Sequence, residues 1–228
     1  MKKFEILLWD IDQTLLDFDK SQDYALKFSF HNFGMDVDET IVSRYAAINE
    51  SYWKRLELGE VTKNELLTGR FETLFLEFGI KEIASKDFAQ IYQKALGSVF
   101  YFKDNVFELC SKLKGKVRQY AVTNGVSATQ RNKIHLSGLD QIFEDIFVSE
   151  EIGYPKPNLE FFTRCFAMIP DFQKEKTIIV GDSLSSDIKG GNNAGISCCW
   201  YNPNGKENHT NLKIDFEIRN LWEVEDIL

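Results

Sequence analysis

Phe4-Glu5-Ile6-Leu7-Leu8-Trp9-Asp10-Ile11-Asp12-Gln13-Thr14-Leu15 is the stretch on which the fold turns. The apolar run from Phe4 to Trp9 is short, rich in branched and aromatic residues, and ends abruptly at two carboxylates. It reads as a buried strand whose carboxyl end delivers Asp10 and Asp12 into a crevice. In an open parallel α/β sheet, ligands bind at that end of the strands. Residues i and i+2 of a strand share a face, so both carboxylates point to one side. They repel each other unless a cation lies between them, or unless one is ionised and the other protonated. The plain alternative is that both cap the following turn.

Three later segments bear on that choice. Tyr120-Ala121-Val122 ends a second apolar run and leads into Thr123-Asn124-Gly125. Gly153-Tyr154-Pro155-Lys156-Pro157 sets one lysine between two prolines, which stiffen the loop that presents it. Thr177 to Val180 is a third apolar run, closing on Gly181-Asp182-Ser183, with Asp187 beyond. Strand signals at 4–10, 117–123, 145–149, 177–181 and 196–201 alternate after residue 100 with helical stretches at Val106 to Leu113, Ala128 to Leu136 and Leu159 to Met168. This alternation predicts an α/β fold, a doubly wound parallel sheet of Rossmann-like type with helices on both faces. Phe216-Glu217-Ile218 reads as a last short strand before an acidic helix from Leu221.

Residues 17–100 carry no convincing strand. Their periodicity predicts four amphipathic helices near 20–33, 38–56, 63–78 and 85–97, broken near Gly34, Gly59 and Gly79. The expected organisation is an α/β core of residues 1–16 and 101–228, with an inserted α-helical cap of residues 17–100. Residues 15–18 and 98–104 are expected to be two hinge strands.

Bulk composition narrows the function classes. The 228 residues suit one large domain or a core with an insertion, and nineteen Phe make the interior unusually aromatic. A net charge of −8 argues against an electrostatic nucleic-acid surface. No run approaches the ~18 apolar residues of a membrane span, and Met1-Lys2-Lys3 lacks the features of a signal peptide. Cys110, Cys165, Cys198 and Cys199 show no metal-binding spacing. Cys198 and Cys199 read as small buried residues of a strand, and a cytoplasmic protein with reduced thiols is expected. His31, His135 and His209 are scattered and sit beside no motif.

Taken in order, the four blocks resemble the haloacid dehalogenase-like hydrolase superfamily. Its motifs are an Asp-x-Asp-x-Thr strand end, a Ser/Thr after a second strand, a Lys, and a Gly-Asp-x-x-x-x-Asp loop. The resemblance extends further. Tyr52-Trp53-Lys54-Arg55-Leu56-Glu57-Leu58-Gly59-Glu60-Val61-Thr62, Glu65-Leu66-Leu67, Arg70-Phe71, Ile188 to Gly195 and Trp200-Tyr201-Asn202-Pro203 are similar to the bacterial pyrimidine 5′-nucleotidases of this superfamily. Two departures stand out. Gln13 replaces a frequent Gly, and Lys103-Asp104-Asn105 replaces a Pro-Gly linker, where Asp-Asn can make a comparable turn.

The resemblance implies phosphoryl transfer through an aspartyl-phosphate, with Asp10 as nucleophile and Asp12 as general acid and then base. It implies Mg²⁺, a hard cation that favours carboxylates. The ligands would be a carboxylate oxygen of Asp10, the backbone carbonyl of Asp12 and a carboxylate of Asp182. Asp187 would act directly, through water, or by orienting Lys156. The phosphate would meet Thr123 through its hydroxyl, Asn124 and Gly125 through backbone N–H groups, and Lys156 through its charge. That lysine and the metal would concentrate positive charge in a net-acidic chain. The substrate implied is a small phosphomonoester, a pyrimidine nucleoside monophosphate first. A sugar phosphate or phosphoglycolate is the alternative, and a non-catalytic phosphometabolite-binding protein a third reading. Trp53 and Phe71 either stack on a base or fill the helical block's own core.

Overall fold

The structure, a computed structural model, describes residues 4–228. The chain divides into two compact units. One runs up to Asp17 and resumes over Phe100–Leu228, and the other is Phe18–Val99.

The first unit is built on six parallel strands. They are β1 (Ile6–Asp10), β2 (Arg118–Thr123), β3 (Asp145–Val148), β4 (Thr177–Gly181), β5 (Ser197–Tyr201) and β6 (Phe216–Ile218), in the spatial order β3-β2-β1-β4-β5-β6. The order reverses at β1, so the carboxyl ends of β1, β2 and β4 border the crevice where such sheets take ligands. All five residues of β1 are buried, as expected of a central parallel strand covered on both faces. Leu7 and Trp9 pack to one face, with α5 (Val106–Leu113) and Ile134 of α6 (Ser127–Ser137). Ile6 and Leu8 pack to the other, with Phe161, Phe162 and Cys165 of α8 (Leu159–Met168) and Ala194 of α9 (Lys189–Ala194). A single turn, α7 (Ser149–Ile152), follows β3, and α10 (Val224–Ile227) closes the chain.

Strand alternation also separates the neighbours Cys198 and Cys199, which join opposite cores. All four cysteines are free and buried. Burial pushes the Cys198 thiol up to about 11 and that of Cys199 to about 12.

The stretches expected as hinge strands meet in one antiparallel bridge, with Asp17 N donating to Tyr101 O at 2.8 Å and Lys103 N to Leu15 O at 3.0 Å, rather than in a longer strand pair. Leu16 makes only isolated bridges, to Asp12 and to Phe102. The loop after β1 turns back on itself, with Leu15 and Leu16 both donating to Ile11 O at 2.9 Å, so little extended chain is left. Two departures noted in the sequence mark left-handed backbone: Gln13 has φ +66°, and Asp104 and Asn105 have φ +49° and +53°. Asn and Asp tolerate that region; Gln does so at a cost.

The second unit consists of α1 (Phe18–Asn32), α2 (Glu39–Glu57), α3 (Lys63–Phe78) and α4 (Ser85–Gly97). Asp38 caps α2, and Thr62 with Glu65 forms a capping box at α3. The interior is aromatic: Phe71 stacks on Tyr45 at 5.2 Å and meets Phe88 and Tyr92 edge-on. Phe71 is fully buried there, so packing and not base stacking accounts for it. Trp53 is half-buried, with the Lys63 ammonium 5.8 Å from its ring centroid. Among the described residues, no helix is long and apolar enough to cross a membrane.

Candidate active site

The backbone after β1 brings Asp10 and Thr14 together. Thr14 Oγ1 donates to Asp10 Oδ2 at 3.0 Å, lies 3.4 Å from Asp182 Oδ1, and accepts from the Asp182 N–H at 3.1 Å. One threonine thus joins the ends of β1 and β4. The Trp200 indole fixes the same turn from β5 by donating to Asp182 O at 2.9 Å. Asp187 folds back against Gly181 from a π-helical turn, Leu184–Ile188. A Cβ on Gly181 would lie 2.3 Å from the Asp187 carboxylate carbon, so only glycine fits.

Lys156 anchors the cluster. Its ammonium donates to Asp10 Oδ1 at 2.7 Å, Asp187 Oδ1 at 2.7 Å and Val122 O at 2.9 Å, which satisfies all three of its protons. The group is 1% exposed. Burial works to lower its pKa, but Asp10 and Asp187 outweigh that and raise it. The second oxygen of Asp187 accepts from Ser183 N at 3.1 Å, so both its oxygens are engaged.

Carboxylate oxygens of Asp10, Asp182 and Asp187 lie within 4.8 Å of one another. Burial, then the charge of Asp187, pushes Asp10 up to about 7 against the opposing pull of Lys156. Burial, then Asp10 and Asp187, raises Asp182 well above the carboxylate range. Three carboxylates face one ammonium, an imbalance of two charges when all are ionised. Hard oxygen donors with that imbalance fit a divalent cation such as Mg²⁺.

On the phosphate side, Thr123 ends β2 and Asn124 and Gly125 follow it. Thr123 is buried at the end of β2, but its Oγ1 accepts from Gly125 N at 3.0 Å. The Gly125 N–H expected for phosphate is therefore held by a local Ser/Thr turn, a usual habit of this residue type after a strand. The Asn124 side chain adds a contact of its own: Nδ2 donates to Lys156 O and Oδ1 accepts from Lys156 N, both at 2.8 Å. That two-point clamp fixes the backbone that carries the ammonium.

Asp12 lies outside the three-carboxylate group. Its Oδ1 accepts from Lys133 Nζ and its Oδ2 from Gln130 Nε2, each at 2.6 Å. Neither partner was expected from the sequence. The docked helix reveals them: the buried face of α6 is Thr129, Gln130, Lys133, Ile134 and Ser137 while Leu136 is exposed. A helix that hides lysine and exposes leucine is not packing a simple apolar stripe.

Residues 7–201 match the haloacid dehalogenase-like hydrolase family. The chain belongs to the haloacid dehalogenase-like hydrolases. Within that family it is 40% identical to the HAD-hydrolase YfnB of Bacillus subtilis, over 100% of this chain and 97% of that protein. It is 38% identical to the pyrimidine 5′-nucleotidase PynA of Streptococcus pneumoniae, covering 99% of this chain and 95% of the relative. It is 29% identical to the pyrimidine 5′-nucleotidase YjjG of Escherichia coli, over 99% and 98% respectively. The crystal structure of YfnB bound to magnesium superimposes with a TM-score of 0.93 at 39% identity, covering 100% of this chain and 99% of that one. As a haloacid dehalogenase-like hydrolase, the protein is an enzyme with a Rossmann-like core.

Proposed function

We propose that this chain is a Mg²⁺-dependent phosphomonoester hydrolase, a 5′-nucleotidase acting on pyrimidine nucleoside monophosphates. The observation that carries the reading is Asp10, held between a buried ammonium and two further carboxylates at the open end of the central strands. Full-length relatives that include pyrimidine 5′-nucleotidases support the choice of substrate.

In this reading an Asp10 oxygen attacks phosphorus while the ester P–O bond breaks. Asp12 gives its proton to the departing alkoxide. Water then attacks the aspartyl-phosphate, Asp12 takes a proton from it, and inorganic phosphate leaves with Asp10 restored. Lys156 keeps Asp10 in place and supplies fixed positive charge beside the reacting group, since loose phosphoryl transfer depends on positioning and charge stabilisation. Thr123 supplies its hydroxyl as a phosphate donor. Asp10, Asp182 and the Asp12 backbone carbonyl would hold Mg²⁺, with Asp187 holding Lys156. When bound, the ion offsets the repulsion among these carboxylates and the charge of the phosphate. The helical residues 17–100 would serve as a cap that discriminates the leaving group.

A phosphate-release screen over nucleoside monophosphates, sugar phosphates and phosphoglycolate, with Mg²⁺ or EDTA, tests the proposal. Pyrimidine monophosphates should lead in kcat/KM, and activity should vanish with EDTA. A profile led by sugar phosphates or phosphoglycolate replaces the nucleotidase reading, and full activity after chelation removes the metal.

A further inference from the structure

We propose that Lys133, together with Gln130, is a positioning residue for Asp12. The pair holds both carboxylate oxygens and so sets the direction in which Asp12 exchanges protons with the leaving oxygen and the attacking water. The inference rests on the phosphohydrolase reading above.

Three observations carry it. The first is geometric. Gln130 and Lys133 stand three residues apart on α6, one turn from each other on the same face. Each takes one oxygen of Asp12 at 2.6 Å, so the plane of the carboxylate is held from two points. The second is burial. The Lys133 side chain is 0% exposed while Asp12 keeps 24% of its side-chain surface. Burying an ammonium beside a half-open carboxylate is an expensive way to stabilise a helix, because an apolar side chain at such a position is often as good or better. Leu136 on the same helix faces solvent, so the helix does not lack apolar residues for that purpose. The third is continuity with the Thr123-Asn124-Gly125 loop. A Cβ on Gly125 would lie 2.2 Å from Gln130 Nε2, so the Gln130 amide occupies the space above that glycine and reaches Asp12 from there. One side chain thus ties the loop after β2 to the carboxylate after β1.

A group that positions a proton-transferring carboxylate matters in proportion to how badly the leaving group needs a proton. An alkoxide from a nucleoside 5′-phosphate needs one; p-nitrophenolate departs without it. With Lys133→Met, kcat on a nucleoside 5′-monophosphate should fall roughly tenfold to a hundredfold, out of the ~10²–10⁴ available to general acid–base catalysis. KM should hold, while the single-turnover release of p-nitrophenolate, which precedes the water attack common to both esters, should change less than about threefold. Lys133→Arg should regain most of the loss, and Gln130→Leu should reproduce the same split from the other oxygen. Equal losses in the single-turnover release of the two leaving groups, or no loss in either, overturn the proposal. Crystal structures of the wild type and of Lys133→Met test the geometry without turnover. A rotated Asp12 carboxylate supports the proposal, and an unmoved one overturns it. A wild type that releases phosphate from neither ester defeats the hydrolase reading instead, and the structural comparison then still decides what holds Asp12.

Discussion

Lys156 in the α/β unit, which also buries Lys133, and Arg70 in the helical one are each about 1% exposed, and these two cations are accommodated differently. Lys156 has an acceptor for each proton, two of them carboxylates. Arg70 donates through Nη1 to Asn49 Oδ1 at 2.6 Å, and Asn49 passes the bond on to Gln22 at 2.7 Å. Its Nε and Nη2 have no hydrogen-bond partner among the described residues. The guanidinium lies instead over the rings of Phe71 and Tyr92, 4.9 and 5.0 Å from their centroids. The ammonium is a keystone of opposite charges. The guanidinium is an aromatic-packed cation, whose flat, weakly hydrated head tolerates such surroundings. Burial of a charge therefore does not by itself mark a catalytic group; the number of opposite charges that face it separates the two cases.

The largest test of that contrast is Asp10→Asn. The change is nearly isosteric and removes one charge from the cluster, so the fold should persist by circular dichroism while turnover drops on the order of 10³ or more. Near-normal turnover in a folded variant would end the nucleophile assignment. Lys156→Met should follow. It leaves Asp10 and Asp187 facing each other without a cation, which should lower stability by about 3–5 kcal/mol in denaturant titrations and abolish turnover. Arg70→Met is the matched control: its loss strands only Asn49 and relieves two unbonded donors, so stability should move by no more than about 1.5 kcal/mol. Equal destabilisation by the two methionines would erase the contrast.

A smaller effect concerns pH. Asp10 is raised from 3.8 to about 7, so in the metal-free protein it favours the fold fully below about 4. That contribution is lost as pH rises through 7. A divalent cation must displace the proton below about 7 and need not above it. Added Mg²⁺ should therefore raise the thermal midpoint more at about pH 8 than at about pH 5.5. A Mg²⁺ response that ignores pH would remove Asp10 from the ligands. The smallest effect is Gln13→Gly. Gln13 holds φ +66° and buries an unbonded Oε1, so glycine should stabilise the α/β unit by up to about 1 kcal/mol.

The helices of the second unit were legible almost to the residue. α3 spans Lys63–Phe78 and α4 Ser85–Gly97, as their periodicity and flanking signals predict. Each strand from β1 to β5 was visible as a strand signal, and β6 as the short Phe216-Glu217-Ile218 before the last helix. The hinge strands expected at 15–18 and 98–104 shrink to the single Leu16–Phe102 bridge, a length that no periodic signature could set. The clamp that the Asn124 side chain makes on Lys156 was not foreseen. Lys133 and Gln130 were missed because a lysine on a helix looks solvated until the helix is docked.

What the sequence by itself determined is what repeats or sits locally: the strand and helix pattern, the carboxylates at strand ends, and the lysine between prolines. These follow from periodicity and from backbone restrictions carried by neighbouring residues. Only the tertiary structure decided which carboxylate faces which cation. Asp10 meets Lys156 across 146 positions and Asp12 meets Lys133 across 121. Such pairings depend on the β3-β2-β1-β4-β5-β6 order and on the seating of α6, and no local pattern encodes them.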